Sequence, residues 1–157
     1  MANIKIKIGE QLPEFKSLTN EGVEFSLNDL KGSPTVLYFY PKDNTSGCTL
    51  EAKSLRDGKE ELKRRGFKIV GVSPDSVKSH QNFCQKHELN FTLLSDADHS
   101  LSEALGVWRP KKMYGREYMG IVRTTFLLDA EARVMDIIEK VDTKDAYGQI
   151  IKLLNNK

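Results

Sequence analysis

Residues 34–48 read Pro34-Thr35-Val36-Leu37-Tyr38-Phe39-Tyr40-Pro41-Lys42-Asp43-Asn44-Thr45-Ser46-Gly47-Cys48, and two kinds of structure must meet inside them. Up to Tyr40 the residues are mainly β-branched and aromatic, which suits a strand covered on both faces in an α/β sheet. Pro41 ends it, since proline has no N–H to give to a ladder. Beyond the loop, Cys48, Ala52, Leu55 and Leu62 fall at i, i+4, i+7 and i+14, which predicts a helix from about Ser46 to Arg64 with one inward face. A buried strand therefore runs through a short polar loop into a helix whose first turn carries a thiol.

The same alternation continues outward in both directions. Phe15 to Leu18 and Val23 to Phe25 flank Thr19-Asn20-Glu21-Gly22, two short strands and a turn, and Ser26 caps a brief helical turn ending at Gly32. On the other side, Phe67 to Val72 is a second buried-type strand, and Asp75 or Ser76 caps a helix reaching about His87. Phe91 to Leu94 gives a short strand and Ser100 to Leu105 a short helix. Thr124 to Leu128 and Val134 to Ile138 are strands around Ala130-Glu131-Ala132, and Asp145 to Leu154 closes with a helix. Strand and helix in turn predict an α/β fold, a central sheet with helices on both faces. With 157 residues, no internal repeat and no linker composition, one domain over 1–157 is expected, burying roughly 70% of its extended-chain surface.

Hydrophobic residues at 39% and charged residues at 29% are far from the composition of disordered chains. A net charge of +2 gives no field that implies a nucleic-acid or anionic-membrane partner. The longest apolar run, Val36 to Tyr40, is far shorter than a bilayer span, and Met1 to Glu10 alternates Ile with Lys where a signal peptide has an apolar stretch. Cytoplasmic residence is the expectation. The two cysteines, Cys48 and Cys84, form neither a disulfide scaffold nor a C-x-x-C pair.

Free cysteines are usually small buried hydrophobes, and the neighbours of Cys48 argue otherwise. A sulfur at a helix N-terminus faces unpaired N–H groups and the positive end of the macrodipole, which favour thiolate, the nucleophilic form. An ordinary thiol is only about 3% ionised at pH 7, and making it mostly thiolate takes roughly 3.4 kcal/mol. A helix end supplies about half of that. The remainder calls for a nearby cation and for hydrogen-bond donors, of which the hydroxyl of Thr45 is one candidate.

Tyr38-Phe39-Tyr40-Pro41-Lys42-Asp43-Asn44-Thr45, followed by Gly47-Cys48-Thr49 and Glu51-Ala52, closely resembles the peroxiredoxins, whose signature is P-x-x-x-T-x-x-C. Val72-Ser73-Pro74-Asp75 and Gly120-Ile121-Val122-Arg123 before Phe126 narrow the resemblance to the bacterioferritin comigratory protein, or Q, branch. It spans roughly residues 5 to 155. The resemblance implies a thioredoxin-like fold, a central mixed sheet with helices on both faces, and thiol-dependent reduction of hydrogen peroxide and organic hydroperoxides. Carried onto this chain, Cys48 is the peroxidatic cysteine, Thr45 orients the peroxide, Pro41 shields the pocket and Arg123 is the missing cation. Cys84 is then the resolving cysteine, since Lys53 occupies the place where many members of the branch carry theirs. Ser46 stands where the branch usually has proline, and serine suits a helix start. The resemblance further implies recycling by thioredoxin, no cofactor, no metal, and a monomer or weak dimer.

Other readings stay open beside this one. Cys84 falls near the flank of an apolar helix side formed by Val77, His80, Phe83 and His87, so semi-buried packing accounts for it as well as resolving chemistry does. His80, Cys84 and His87 at i, i+4 and i+7 also share a face that would suit a metal, and their apolar companions favour packing. Arg109-Pro110-Lys111-Lys112-Met113-Tyr114-Gly115-Arg116-Glu117-Tyr118 mixes basic and aromatic residues, as some nucleic-acid surfaces do; a solvated loop is the reading adopted. Trp108, Met119 and Val122 are assigned to packing. The alternatives to a two-cysteine peroxidase are a single-cysteine peroxidase with an external resolving thiol, and a thioredoxin-like binding or chaperone module.

Overall fold

Strand β1 (Lys16–Thr19) and strand β2 (Glu24–Ser26) lead into a one-turn helix α1 (Leu27–Leu30), then β3 (Thr35–Phe39) and the long helix α2 (Ser46–Arg64). The chain continues through β4 (Lys68–Ser73), α3 (Val77–His87), β5 (Thr92–Ser95) and α4 (Ser100–Leu105) to β6 (Trp108–Met113), β7 (Arg116–Ile121), β8 (Thr124–Leu128), β9 (Val134–Ile138) and α5 (Ala146–Asn155). The structure is a computed structural model that describes residues 4–156. The start of the Ile-Lys stretch at Met1 and the last residue of the expected 1–157 domain lie outside the described residues.

Seven strands form one sheet in the order β2-β1-β5-β4-β3-β8-β9. β3 and β5 run parallel to β4, while β8, β9, β1 and β2 are added antiparallel. The parallel centre needs crossover connections, and α2 and α3 are those connections. β3 is buried along its whole length and sends alternate side chains to opposite faces. Leu37 and Phe39 join Leu27 and Leu30 of α1 and Leu101 and Leu105 of α4 in one core. Val36 and Tyr38 join the second core with Leu55 and Leu62 of α2, Phe83 of α3 and Ile150 of α5. Helices therefore cover both faces, as the alternation of the sequence predicts. No helix among the described residues is long and apolar enough to cross a membrane.

The stretch from Arg109 to Tyr118 is not the expected solvated loop. β6 and β7 pair antiparallel from Trp108↔Ile121 to Met113↔Arg116, and the turn residues Tyr114 and Gly115 take positive φ of 53° and 77°, the geometry that lets a two-residue turn match strand twist. The ribbon stands apart from the main sheet, and most of β7 is exposed. It therefore carries no apolar alternation for the sequence to display, and Pro110 argues against a strand unless the strand is an edge.

Gly58 marks where α2 meets α5. A Cβ there would stand 2.0 Å from Cδ1 and 2.3 Å from Cγ of Tyr147, and the Tyr147 N–H donates to Ser54 Oγ nearby at 3.0 Å. Alanine normally gains about 0.5–1 kcal/mol over glycine inside a helix. Here it must displace the base of a ring, so Gly58→Ala is expected to lower unfolding stability by about 1–3 kcal/mol, read as a lower urea midpoint at unchanged m-value.

Candidate active site

The loop after β3 turns through Asn44, whose φ of 64° is a left-handed conformation that asparagine tolerates better than most residues. Thr45 then takes an extended N-cap conformation. The first helical bond of α2 is donated by Thr49 N–H to Thr45 O at 2.9 Å, so the N–H groups of Ser46, Gly47 and Cys48 precede the ladder at the positive end of a 19-residue helix. Cys48 is 1% exposed. Its sulfur sits where helix start, strand end and a cation converge.

That cation is Arg123, in the two-residue link between β7 and β8. Its Nη1 donates to Cys48 Sγ at 3.4 Å and to Glu51 Oε1 at 2.7 Å. Burial works against the guanidinium's charge, but the Cys48 sulfur and the Glu51 carboxylate outweigh it and raise its pKa further. Gly47 makes the approach possible, since a Cβ there would meet Arg123 Nη2 at 3.2 Å. Glu51 is fully buried, and its second oxygen has no hydrogen-bond partner among the described residues. Burial pushes its carboxyl up to about 7, against the pull of Arg123. The sequence signal for Glu51 was its place three residues after Cys48, one helical turn on, where an acid beside an inward stripe needs a partner.

The structure places Thr45 and Pro41 on the wall of a cavity of about 490 Å³ that Gly47, Lys111, Met119 and Arg123 also line. One expectation is corrected there. The Thr45 hydroxyl does not donate to the Cys48 sulfur; it donates to Lys42 O at 2.9 Å, because the tight turn puts that carbonyl three residues back within reach. Its oxygen lone pairs remain for another donor.

A buried polar network joins this loop to α3. Asp43 Oδ1 accepts from Tyr40 Oη at 2.7 Å, and Asp43 Oδ2 accepts from Ser79 Oγ at 2.8 Å and lies 2.7 Å from His80 Nδ1. His80 Nε2 donates to Leu94 O at 2.9 Å. Both nitrogens of His80 are thus engaged, so the face shared by His80, Cys84 and His87 does not form a ligand set. Among the described residues the ligand-type atoms within 4.8 Å of one another belong to Asp43, Asp75 and His80. There the Asp75 Oδ2 atom already accepts from Asp43 N–H and Ser73 Oγ at 2.8 Å each. The sequence reading missed Asp43 and His80 as a pair because their contact spans 37 residues. Cys84 is a half-buried free thiol, as Cys48 is a buried one. Burial, with a smaller push from Asp43, raises Cys84 to about 11.

The sequence model of the AhpC/TSA family matches residues 8–137. The chain is 45% identical over 151 residues to peroxiredoxin Bcp of Bacillus subtilis, covering 96% of each chain. Among solved structures it resembles peroxiredoxin Q of Xanthomonas campestris at TM-score 0.87 and 37% identity, over 98% of this chain and 97% of that one. A second structure from Xanthomonas campestris, a bacterioferritin comigratory protein trapped with intermediate and ligand and described for its alkyl peroxide reduction, also gives TM-score 0.87 at 35% identity over 98% of each chain. The sheet and its two helical layers are thus those of the thioredoxin-like peroxiredoxins.

Glu51 gives the site a pH signature. Its folded value of about 7 lies above the ordinary 4.5, so the stability it contributes by staying neutral is complete below about pH 4.5 and is lost as pH rises through about 7. Relative to Glu51→Gln, the wild type is expected to lose about 3 kcal/mol over that interval, measured by urea unfolding of both proteins across pH 4.5 to 8. Parallel stability curves would mean that the carboxylate is ionised throughout.

Proposed function

Because this chain belongs to the AhpC/TSA family and is a peroxiredoxin, a thiol-dependent peroxidase, we propose that Cys48 is its peroxidatic nucleophile, with Arg123, Thr45 and Pro41 around it and Cys84 as its resolving partner. The observation that carries the reading is the Arg123 guanidinium on a sulfur in the first turn of α2, 3.4 Å away. Two sources of positive potential act on one atom and favour negative charge there, as a sulfur nucleophile requires. The sulfur attacks the terminal oxygen of the hydroperoxide. An S–O bond forms, the O–O bond breaks, and its electron pair leaves on the second oxygen, which takes up a proton; Cys48 becomes a sulfenic acid. Thr45, whose proton is committed to Lys42 O, accepts from the terminal O–H and so turns that oxygen toward the sulfur. Arg123 and the helix N–H groups stabilise the charge moving onto oxygen.

Cys84 then attacks the Cys48 sulfur, an S–S bond forms and hydroxide leaves as water. An external dithiol, thioredoxin in our reading, exchanges twice and is itself oxidised to a disulfide. Trp108, Met119 and Ile121 give the cavity an apolar side, which favours organic hydroperoxides beside hydrogen peroxide, in keeping with the alkyl peroxide reduction described for the Xanthomonas protein. One domain over 1–157, working in the cytoplasm as a monomer or weak dimer, completes the proposal.

Cys48→Ser is expected to remove peroxide consumption to below a tenth of the wild-type rate, because an un-ionised hydroxyl is a poor nucleophile toward O–O bonds. Arg123→Met should lower the thiolate absorbance at pH 7 and slow peroxide reduction by roughly 10²–10³-fold, and Arg123→Lys should not restore it, since an ammonium lacks the planar fork. Unchanged thiolate absorbance in Arg123→Met would remove the arginine from the mechanism.

The Cys84 step is tested separately. Cys84 lies in a helix held at its start by Ser76 and His80 and at its end by Arg56, whose Nη1 donates to His87 O at 2.7 Å. In our reading these ties open locally for resolution. One equivalent of hydrogen peroxide should remove two hydrogens from the intact mass, link the Cys48 and Cys84 peptides, and speed amide exchange near residues 45–50 and 76–88. A gain of one oxygen without linked peptides, with Cys84→Ser cycling as fast as wild type on a thioredoxin system, would make this a single-cysteine peroxidase with an external resolving thiol.

A further inference from the structure

The hairpin β6–β7 brings a second cation to the cavity. Lys111 pairs in register with Tyr118, yet its side chain leans across β7, and its Nζ donates to Ile121 O at 2.9 Å. Gly120 clears the way: a Cβ there would stand 3.0 Å from Lys111 Cδ. The ammonium is thereby anchored by a main-chain carbonyl two residues before Arg123, and Lys111 lines the same cavity as Thr45 and Arg123. One N–H is used by that carbonyl, and an ammonium has three.

Resting on the reading of Cys48 as peroxidatic nucleophile, we infer that Lys111 is the general acid of peroxide reduction, delivering a proton from its ammonium to the leaving oxygen. The reaction needs such a group. Cys48 thiolate and ROOH give Cys48-SOH and RO⁻; the alkoxide takes the proton as ROH, and the Lys111 amine regains one from solvent. Arg123 is unsuited to this because a guanidinium does not give up its proton in proteins. A lysine does when its surroundings press on its charge. Burial and then the charge of Arg123 lower the pKa of Lys111, against a smaller raising effect of the Cys48 sulfur. The Arg123 guanidinium that contacts the sulfur thus also makes the lysine a better acid.

The leaving group separates proton delivery from every role through Cys48. Cumene hydroperoxide expels an alkoxide that needs a proton, whereas peracetic acid expels acetate, which needs none near neutral pH. Wild type is first measured with both; absence of turnover there, or turnover by Cys48→Ser, defeats the reading of Cys48 and not this step. Lys111→Met is expected to slow kcat/KM for cumene hydroperoxide at least 10-fold, the lower range of general acid catalysis being about 10², and to slow peracetic acid at least fivefold less, that smaller loss being the effect on the sulfur common to both oxidants. Lys111→Gln, polar and of similar reach, gives the same contrast should the methionine variant fold poorly. Lys111→Arg keeps the charge without a transferable proton and is expected to be as slow as Lys111→Met with cumene hydroperoxide. Equal losses with both oxidants, no loss with either, or full recovery by Lys111→Arg would each overturn the assignment.

Discussion

The Arg123 guanidinium serves two acceptors with one nitrogen, the Cys48 sulfur and the Glu51 carboxylate, and the surrounding fold is arranged so that it can. Cys48 and Glu51 lie one turn apart on α2, which sets their spacing without tertiary help. Arg123 arrives from a different part of the chain, between β7 and β8, and β8 pairs with β3 from Phe39↔Thr124 to Thr35↔Leu128. The strand that leads to the cysteine and the strand that follows the arginine are therefore neighbours in register. A shift of one residue between them would turn Phe126 from one core to the other and carry Arg123 off the sulfur. Core packing of β3 and β8 is in this sense part of the chemistry.

Three charged side chains in so dry a place would be costly if all kept their charge. The arrangement avoids this by competition for one cation. When Glu51 holds its proton, the guanidinium is free to serve the sulfur as its main counter-charge; when Glu51 is ionised, the sulfur shares it. The second oxygen of Glu51, without a hydrogen-bond partner among the described residues, adds to the cost of its charge, and this leaves more of the guanidinium to the sulfur. The acid beside the arginine thus leaves the guanidinium available to the sulfur, which a fully paired ion bridge would not.

Much of this was legible in the chain. The strand 34–40, the helix from Ser46 with its thiol, Ser76 as cap and the final helix all follow from short-range rules of period, capping and proline placement. The hairpin 108–121 did not, because a ribbon with most of one strand in water has no buried stripe to write into the sequence, and only the Tyr114-Gly115 turn marks it. The direction of the Thr45 hydroxyl escaped for a similar reason: a carbonyl three residues back competes for its proton, and residue type alone does not say which acceptor wins. Arg123 was found by resemblance, not by physics, since an isolated arginine after a strand is an ordinary surface residue. Asp43 with His80, and Lys111 with Ile121, depend on contacts between distant segments and became visible only in the folded chain.

The Asp43–His80 network sets a limit on how far the two cysteines can be treated as separate devices. Asp43 belongs to the loop that shapes the start of α2, and His80 to the helix that carries Cys84, one turn before it. Leaving one member of such a buried hydrogen-bonded pair without its partner typically costs about 1–3 kcal/mol, whereas exchanging it for solvent as both ends open together costs less, because both groups regain water. Opening of α3 thus costs least when the loop around Asp43 opens with it. On the proposed mechanism, a sulfenic acid at Cys48 favours that joint movement, since it adds an oxygen to a site where the sulfur is 1% exposed. Oxidation would then loosen the helix start and the neighbouring helix in one step, and the polar network that keeps the reduced site rigid would itself connect the two openings.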